Sequence, residues 1–364
     1  MSIYKKQLPI AIAALICSGQ LGASLVQSQQ VLDDRLNAIE NELAAKRKVS
    51  PTVTQKNDFF FTGEYLLWHA NESGLAYGVK VGTAATDIGT VQNIRFDWDS
   101  GFRVGVGYRI PHDKWEITAN WTRFTTDASG HTSASSSVLF PEWATEISSG
   151  APGAISSMSG KWNMRLNILD GEMGRYFMVT RWLALKPHFG IRGAWIKQTY
   201  KTNLDGGFAA LPALTAVITD HLKIKNDFKG VGLRGGLDSE WTLYERLSIY
   251  GNAAYSLIYG NFSLNQHEQR QLAGAAVLST VNNVHNSFQQ IVSIGELAIG
   301  LRWDHTFCNE WVALRLQAGW EFNAYFGQNQ FAHFGTGMAS PLSFVANNDD
   351  LTIQGFVLSA RLDF

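Results

Sequence analysis

From Phe59 onward, apolar and polar residues alternate with a period of two over long stretches of the chain. Between Val312 and Phe322 the even-numbered residues are apolar or aromatic, whereas the odd-numbered ones include Arg315, Gln317 and Glu321. Because successive side chains of a strand point to opposite faces, this pattern predicts a strand with one apolar and one polar face. At about 3.4 Å per residue and a tilt of about 45°, the segment crosses about 24 Å, which fits a membrane-spanning strand better than the shorter strands of a soluble sandwich.

Segments with this alternation recur along the chain and predict an all-β fold, a closed antiparallel transmembrane β-barrel of about ten strands within residues 58–364. The predicted strands are 58–69, 100–110, 115–125, 161–178, 183–198, 228–241, 247–262, 290–303, 311–325 and 352–364. Short connections at 111–114, 179–182, 242–246 and 304–310 alternate with long ones at 70–99, 126–160, 199–227, 263–289 and 326–351. Short turns on one side and long loops on the other are typical of an outer-membrane barrel. Each long connection has room for another hairpin, so twelve strands are the alternative.

The N-terminal segment has the pattern of a secretory signal peptide. Lys5 and Lys6 precede an apolar run from Leu8 to Cys17, and small residues follow it. We therefore expect residues 1–24 to be a signal peptide that is cleaved between residues 23 and 27. Export to the cell outer membrane of a Gram-negative bacterium follows from this prediction together with the predicted barrel.

Between the signal peptide and the barrel, residues 28–51 show a helical period and predict a short periplasmic helix. Leu32, Leu36, Ile39 and Leu43 are spaced as the apolar seam of a coiled coil. One interpretation is a helix that packs against its own barrel or plugs it. The other is a seam between subunits of a homo-oligomer, such as a trimer.

The composition agrees with a membrane barrel and excludes other classes. Hydrophobic residues make up 45% of the chain and charged residues only 17%, against about 25% charged in soluble domains. The formal net charge of −1 argues against nucleic acid as a partner. Gly230, Gly232 and Gly235 fit G-x-G-x-x-G but lie within a strand pattern, and neither H-E-x-x-H nor G-x-S-x-G occurs. We expect no catalytic residue, metal ligand or cofactor, and hence no enzyme.

Charged residues recur on the faces of the predicted strands opposite to the apolar ones. In a barrel that face lines the lumen, where charge is tolerated and can tune ion selectivity. The alternative is a set of ion pairs that fill the interior. The candidate pore-lining residues are Glu64, Arg103, Arg109, Glu116, Arg165, Lys186, Arg192, Arg234, Asp238, Glu296, Arg302, Arg315, Glu321 and Arg361.

The last strand alternates up to a terminal aromatic residue. Its apolar positions are Phe356, Leu358, Ala360, Leu362 and Phe364. This strand closes the barrel against the first one, so it must present an unbroken face to lipid. We expect these residues to form the assembly signal of the barrel.

Several of these segments resemble the Legionella-type major outer-membrane protein family, whose relatives include proteins of chlamydia-like bacteria. The resemblance lies in FFFTGEYLLWHANESGLAYGVK (59–80), GFRVGVGYRI (101–110), WEITANWTRF (115–124), GVGLRGGLDSEW (230–241) and the ending FVLSARLDF (356–364). It implies a pore-forming barrel, and the ending also resembles the recognition signal of the barrel-assembly machinery. The chain departs from the cysteine-rich chlamydial protein, since Cys308 is its only cysteine outside the predicted signal peptide.

Two functions are compatible with these observations. The first is a porin, through which small hydrophilic solutes or ions diffuse passively. The second is a structural or adhesive surface protein, in which a narrow barrel presents extracellular loops. In either case the expected partners are outer-membrane lipid, lipopolysaccharide and the barrel-assembly machinery.

Overall fold

The computed structural model describes residue 35 and residues 59–82, 89–110, 115–135, 137–144, 147–148, 154–209, 215–307, 312–337, 340–346 and 348–364. Apart from Arg35, the predicted signal peptide (1–24) and helix (28–51) lie outside the described residues. The same is true of the seam residues Leu32, Leu36, Ile39 and Leu43. Within the described residues, no helix has the length and apolar character needed to span a membrane.

Strands dominate the described part of the chain. They are β1 (Phe59–Glu72), β2 (Ala76–Val81), β3 (Gly89–Asn93), β4 (Arg95–Phe96), β5 (Trp98–Arg109), β6 (Trp115–Ser133), β7 (Val138–Pro141), β8 (Ile147–Ser148), β9 (Ile155–Arg175), β10 (Phe177–Met178), β11 (Leu183–Gly206), β12 (Phe208–Ala209), β13 (Thr215–Tyr244), β14 (Leu247–Leu272), β15 (Ser279–Phe307), β16 (Val312–Asn329), β17 (Ala332–Gly337), β18 (Ser340–Ala346) and β19 (Asp349–Asp363).

Ten of these strands form a closed antiparallel barrel, which confirms the predicted fold. Its order is β1-β5-β6-β9-β11-β13-β14-β15-β16-β19. The barrel closes because β19 pairs with β1 over a register from Phe60↔Asp363 to Glu72↔Leu351. Extra pairings do occur in the long connections: β17 pairs with β18, and β2 pairs with both β3 and β7. None of these strands joins the barrel, so the described chain has ten barrel strands rather than twelve.

The barrel strands are longer than the sequence pattern predicts. The expected loops 199–227 and 263–289 are largely strand, because β11, β13, β14 and β15 continue through them. The prediction ended each strand where its outward apolar residues end. Backbone pairing does not require lipid, so the ladder continues beyond the membrane wherever the side chains still alternate.

The alternation inverts partway along these strands. In the half of the barrel where β1 begins and β19 ends, Leu233 and Leu237 of β13 point outward and are 72% and 42% exposed, while Arg234 points inward. Toward its other end, Lys223 and Lys225 point outward while the apolar residues Leu222 and Ile224 lie inside. Lipid surrounds the first part and water the second, so the polar face changes sides while the period of two continues.

An apolar outer surface surrounds the membrane-crossing part of the barrel. On β15, the outward residues from Ile291 to Trp303 are apolar except for Ser293, and most of them are exposed. This stretch is about 40 Å long and, at a tilt of about 45°, crosses about 28 Å. Aromatic residues such as Trp98, Trp195 and Tyr259 occur at its outer edge, as in the aromatic girdles of outer-membrane barrels.

Candidate functional site: the barrel interior

The predicted lining residues point into the barrel, with one exception. Ion pairs prove the direction for several of them, because they join strands that are not neighbours in the sheet. Arg103 on β5 contacts Glu321 on β16 at 3.0 Å, and Arg361 on β19 contacts Glu116 on β6 at 3.1 Å. Such contacts can only cross the interior. The inward residues are Glu64, Arg103, Arg109, Glu116, Lys186, Arg192, Arg234, Asp238, Glu296, Arg302, Arg315, Glu321 and Arg361.

Arg165 is the exception, and its assignment to the lining is wrong. It is exposed on the outer face of β9, whereas Met164 and Leu166 on either side of it are buried in the interior. From the sequence alone, the apolar residues of this segment are expected to face lipid. Arg165 lies on the part of β9 where the alternation is inverted, so its apolar neighbours form an interior core and the charge faces outward.

The same inversion explains which interior residues the sequence argument missed. Asp170 and Glu172 continue the inward face of β9, and His188 lies inward on β11 near both Glu172 and Asp238, at 3.2 and 3.5 Å. A signal was present, since apolar residues occupy the even positions up to Ile168 and carboxylates occupy them immediately afterwards. That switch within one strand marks the place where the two faces exchange character.

A network of charges crosses the middle of the membrane-spanning part. Arg192 donates to both carboxylate oxygens of Asp170, at 2.6 and 2.8 Å, and also contacts Glu296 at 2.5 Å. Arg234 pairs with Glu172 at 2.5 Å and with Glu296. Glu296 therefore joins two guanidinium groups from β11 and β13. Bidentate and shared contacts of this kind hold planar guanidinium groups in defined orientations.

A second group of charges lies nearer the end of the barrel where β1 begins and β19 ends. Glu116 accepts hydrogen bonds from Arg361 at 3.1 and 3.2 Å and is contacted by Arg109 and Lys186, both at 3.4 Å. The guanidinium of Arg361 lies over the ring of Phe60, 3.4 Å from its centroid. Gly107 makes room for that ring, because a Cβ at this position would overlap the ring of Phe60.

These charged groups surround a cavity of about 200 Å³. Its wall includes side chains of both signs from strands all around the barrel, among them Glu64, Arg192, Glu296 and Arg361. A cavity of this size holds several water molecules and offers each of them polar partners. The interior of the membrane-crossing part is therefore polar, as the sequence pattern predicts.

Beyond this cavity the interior is closed by packed apolar side chains, which we call the apolar layer. It consists of Leu66, Trp68, Phe124, Leu166, Ile196, Ile224, Phe228, Ile258, Phe262, Val292, Ile294 and Val357, all at most 3% exposed. Trp68 lies at the boundary, in edge contact with Phe124 and with the guanidinium of Arg103 over its ring. This layer is not predicted from the sequence, where the apolar residues of each strand are expected to face lipid.

The end of β16 and the residues that follow it cover the apolar layer from the outer side. Phe331 is fully buried against Tyr200. The backbone oxygen of Gln328 accepts a hydrogen bond from Asn226, and Asn329 donates to the backbone of Ser73 at 2.6 Å. The interior thus has a charged region near the chain termini and an apolar layer beyond it. Further buried polar groups lie toward the long connections, such as Gln198, Asn226 and the ion pair of Arg270 with Asp220.

The five residues of the predicted assembly signal all point outward from β19. Phe356, Leu358, Leu362 and Phe364 are 37–50% exposed, and Ala360 is exposed between them. Phe364 donates its backbone N–H to Phe59 and lies against the ring of Phe61. The last residue therefore takes part in closing the barrel, while its role as a signal stays a prediction.

Comparison with solved structures returns other outer-membrane barrels at low identity. The chain is similar to a major outer membrane protein of Thermus thermophilus, with 11% identity, 65% of this chain and 100% of that chain covered, and a TM-score of 0.27. It is similar to the toluene transporter TodX of P. putida, with 9% identity, coverages of 87% and 93%, and a TM-score of 0.30. It is also similar to the outer membrane protein OprG of Pseudomonas aeruginosa, with 11% identity, 85% of this chain and 98% of that chain covered, and a TM-score of 0.28. None of the curated proteins compared with the chain matches it.

The sequence itself gives a more specific result. The family model described as the Legionella pneumophila major outer membrane protein precursor matches residues 49–364. This range contains all ten barrel strands and the charged interior between them. It also includes every segment on which the resemblance in the sequence rested. The chain therefore belongs to the Legionella major outer membrane protein family.

Proposed function

We propose that this outer-membrane barrel is a channel for passive diffusion of small hydrophilic solutes or ions, and that the conformation described here is its closed state. The observation that carries the proposal is the charged cavity inside the membrane-crossing part. Charged side chains facing each other across water form a polar path through lipid. Export through a cleaved signal peptide and the absence of enzymatic activity belong to the same proposal.

The apolar layer supplies the barrier of the closed state. Its side chains are buried from water. A hydrophobic constriction stops ions by excluding water, even where it is not sterically closed. Trp68 joins this barrier to the charged cavity through Arg103. Opening requires side chains of the layer to separate far enough for water to enter.

A second candidate is a structural or adhesive surface protein, and the apolar layer also favours it. A packed core makes the outer part of the barrel a rigid support for the long connections. General porins with open aqueous channels have about 16–18 strands, whereas this barrel has ten. In this alternative the paired charges only fill the interior.

Planar-bilayer recording of the purified, folded protein distinguishes the two functions. We expect discrete current steps from the wild-type protein, with long closed intervals between them. Folded protein is identified by its heat-modifiable mobility on gels and by its insertion into liposomes. Inserted, folded barrels that give no discrete steps at any voltage would contradict the channel and support the structural role.

A pair of tryptophan variants tests where the barrier lies. Trp68→Ala removes a side chain of the apolar layer beside the cavity, so we expect a higher open probability than in the wild type. Trp121→Ala removes the same group from the outer face, where Trp121 is 39% exposed, and should leave gating unchanged. Equal open probabilities in the two variants would show that the layer is not the barrier.

A further inference from the structure

We propose that the outer surface of β9, β11 and β13, just beyond the lipid-facing band, binds the phosphate groups of an anionic glycolipid of the outer leaflet, namely the lipid A part of lipopolysaccharide. The surface carries Lys161, Arg165, Lys197, Lys201, Lys223 and Lys229, which we call the basic surface. All six residues are exposed. The inference does not depend on channel activity, because these side chains point away from the interior.

The strand register places several of these cations directly opposite one another. Lys161 pairs with Lys201, and Lys201 pairs with Lys223, so three lysines from three strands stand in one row. Arg165 pairs with Lys197 in a second row, in which Asp227 of β13 lies opposite Lys197 on the other side. Residues directly opposite on one face have Cβ atoms about 4.5–5.5 Å apart, and like charges in such positions destabilise a sheet.

The chain itself offsets only part of this charge. None of the six cations forms an ion pair with another described residue. Asp127 and Asp227 lie on the same face, but they are fewer than the cations around them. The row of three lysines therefore favours anions from outside the chain, and groups with several negative oxygens match it best.

The neighbouring strands β14 and β15 provide an internal contrast. At the equivalent positions β14 carries Asn261 and Asn265, which pair with Lys229 and Lys225 of β13. The side chains of both asparagines form hydrogen bonds with residues of β15: Ser287 donates to Asn261 at 3.2 Å, and His285 contacts Asn265 at 2.7 Å. This side of the barrel is neutral and satisfied internally, so the positive charge is confined to one side.

The depth of the basic surface selects a membrane glycolipid as the anion. Toward the long connections, the next outward residue beyond Val231 on β13 is Lys229, and the next beyond Trp195 on β11 is Lys197. The cations thus begin where the lipid-facing surface ends, on the side of the long connections. A lipid there has its acyl chains against the apolar band and its phosphates level with the cations.

The test compares the binding of lipid A to three forms of the detergent-solubilised barrel. The basic-surface variant is Lys161→Gln, Lys201→Gln and Lys223→Gln, which keeps side-chain length and removes the row. The control variant is Lys80→Gln, Arg181→Gln and Arg246→Gln, which removes three cations elsewhere. We expect the basic-surface variant to bind bis-phosphorylated lipid A about a hundredfold more weakly than the wild type and the control. Equal binding by all three proteins would overturn the proposal.

Two further probes separate the phosphates from the acyl chains and from free anions. Dephosphorylated lipid A should bind the wild type as weakly as lipid A binds the basic-surface variant. Inorganic phosphate alone should compete poorly, because it lacks the contact with the apolar band. Tight binding of dephosphorylated lipid A would mean that only the acyl chains are recognised. Full competition by inorganic phosphate would mean a free-anion site.

Salt provides a measurement on the wild type alone, in case the variants fold poorly. Raising the ionic strength from about 0.1 M to about 1 M shortens the Debye length from about 10 Å to about 3 Å. We expect the affinity for bis-phosphorylated lipid A to fall steeply over this range. The affinity for dephosphorylated lipid A should hardly change. An affinity for lipid A that is independent of salt would contradict binding through the basic surface.

Discussion

At the scale of single residues, one step along a strand moves a side chain from lipid to the polar interior. Leu297 on β15 points outward and is 59% exposed, while its neighbour Ala298 lines the charged cavity. Ala298 is paired with Glu321 of β16. The same substitution at the two positions therefore meets opposite surroundings.

This contrast predicts the effects of two arginine variants. Leu297→Arg places a charge near the middle of the apolar band and should lower the free energy of unfolding by about 2–4 kcal/mol. Ala298→Arg places it in the cavity beside Glu321 and should cost much less. Urea unfolding in lipid vesicles measures both. Equal losses would show that the strand does not separate lipid from a polar interior at this point.

At the scale of elements, the outcome on β9 shows where local pattern was sufficient and where it failed. The alternation predicted the strand itself. It did not predict the direction of Arg165, because the period of two is the same whether the apolar face meets lipid or a core. Only the neighbouring strands decide which face is enclosed.

The element that closes the barrel provides a second prediction. Phe364→Ala removes the last outward side chain of β19 and should sharply reduce the amount of folded barrel recovered in the membrane. Phe61→Ala removes the ring that Phe364 contacts on β1, and so serves as a control for the lost contact alone. Heat-modifiable mobility on gels measures the folded fraction. An equal reduction in both variants would mean that the ring contact, and not a terminal signal, matters.

At the scale of the whole molecule, the interior combines two environments that single strands do not reveal. Charges from non-neighbouring strands meet around the cavity, and apolar side chains from many strands form one layer beyond it. A proposed solute must pass both regions. The charged region is expected to determine which ions pass, and the apolar layer when they pass.

If the protein conducts, neutralising one bridging carboxylate should change its ion selectivity. Glu296 pairs with Arg192 and Arg234, so Glu296→Gln leaves both guanidinium groups with one partner fewer. We expect the reversal potential in a salt gradient to shift toward anions. Glu245→Gln, in the exposed turn between β13 and β14, should leave it unchanged. Identical reversal potentials in both variants would show that the charged cavity is not on the conduction path.

The N-terminal seam gives a prediction about assembly that the described residues leave open. If Leu32, Leu36, Ile39 and Leu43 join subunits, changing all four to Ser should convert an oligomer into monomers. Burying each such side chain contributes about 1.5–3 kcal/mol, so the combined loss is large. Light scattering of the purified protein measures the change. An unchanged mass would favour a helix that packs against or plugs its own barrel.

The sequence by itself determined the class of fold, a barrel of ten to twelve strands, and the inward direction of most charges. These properties depend on local alternation, on strand length and on the lengths of the connections, all of which are readable along one chain. The tertiary structure alone decided which charges meet across the interior, where the apolar layer lies, and that Arg165 belongs to a basic outer surface. The physical reason is that a strand carries its alternation unchanged from lipid into water. Which face is then enclosed depends on the closed ring of neighbouring strands.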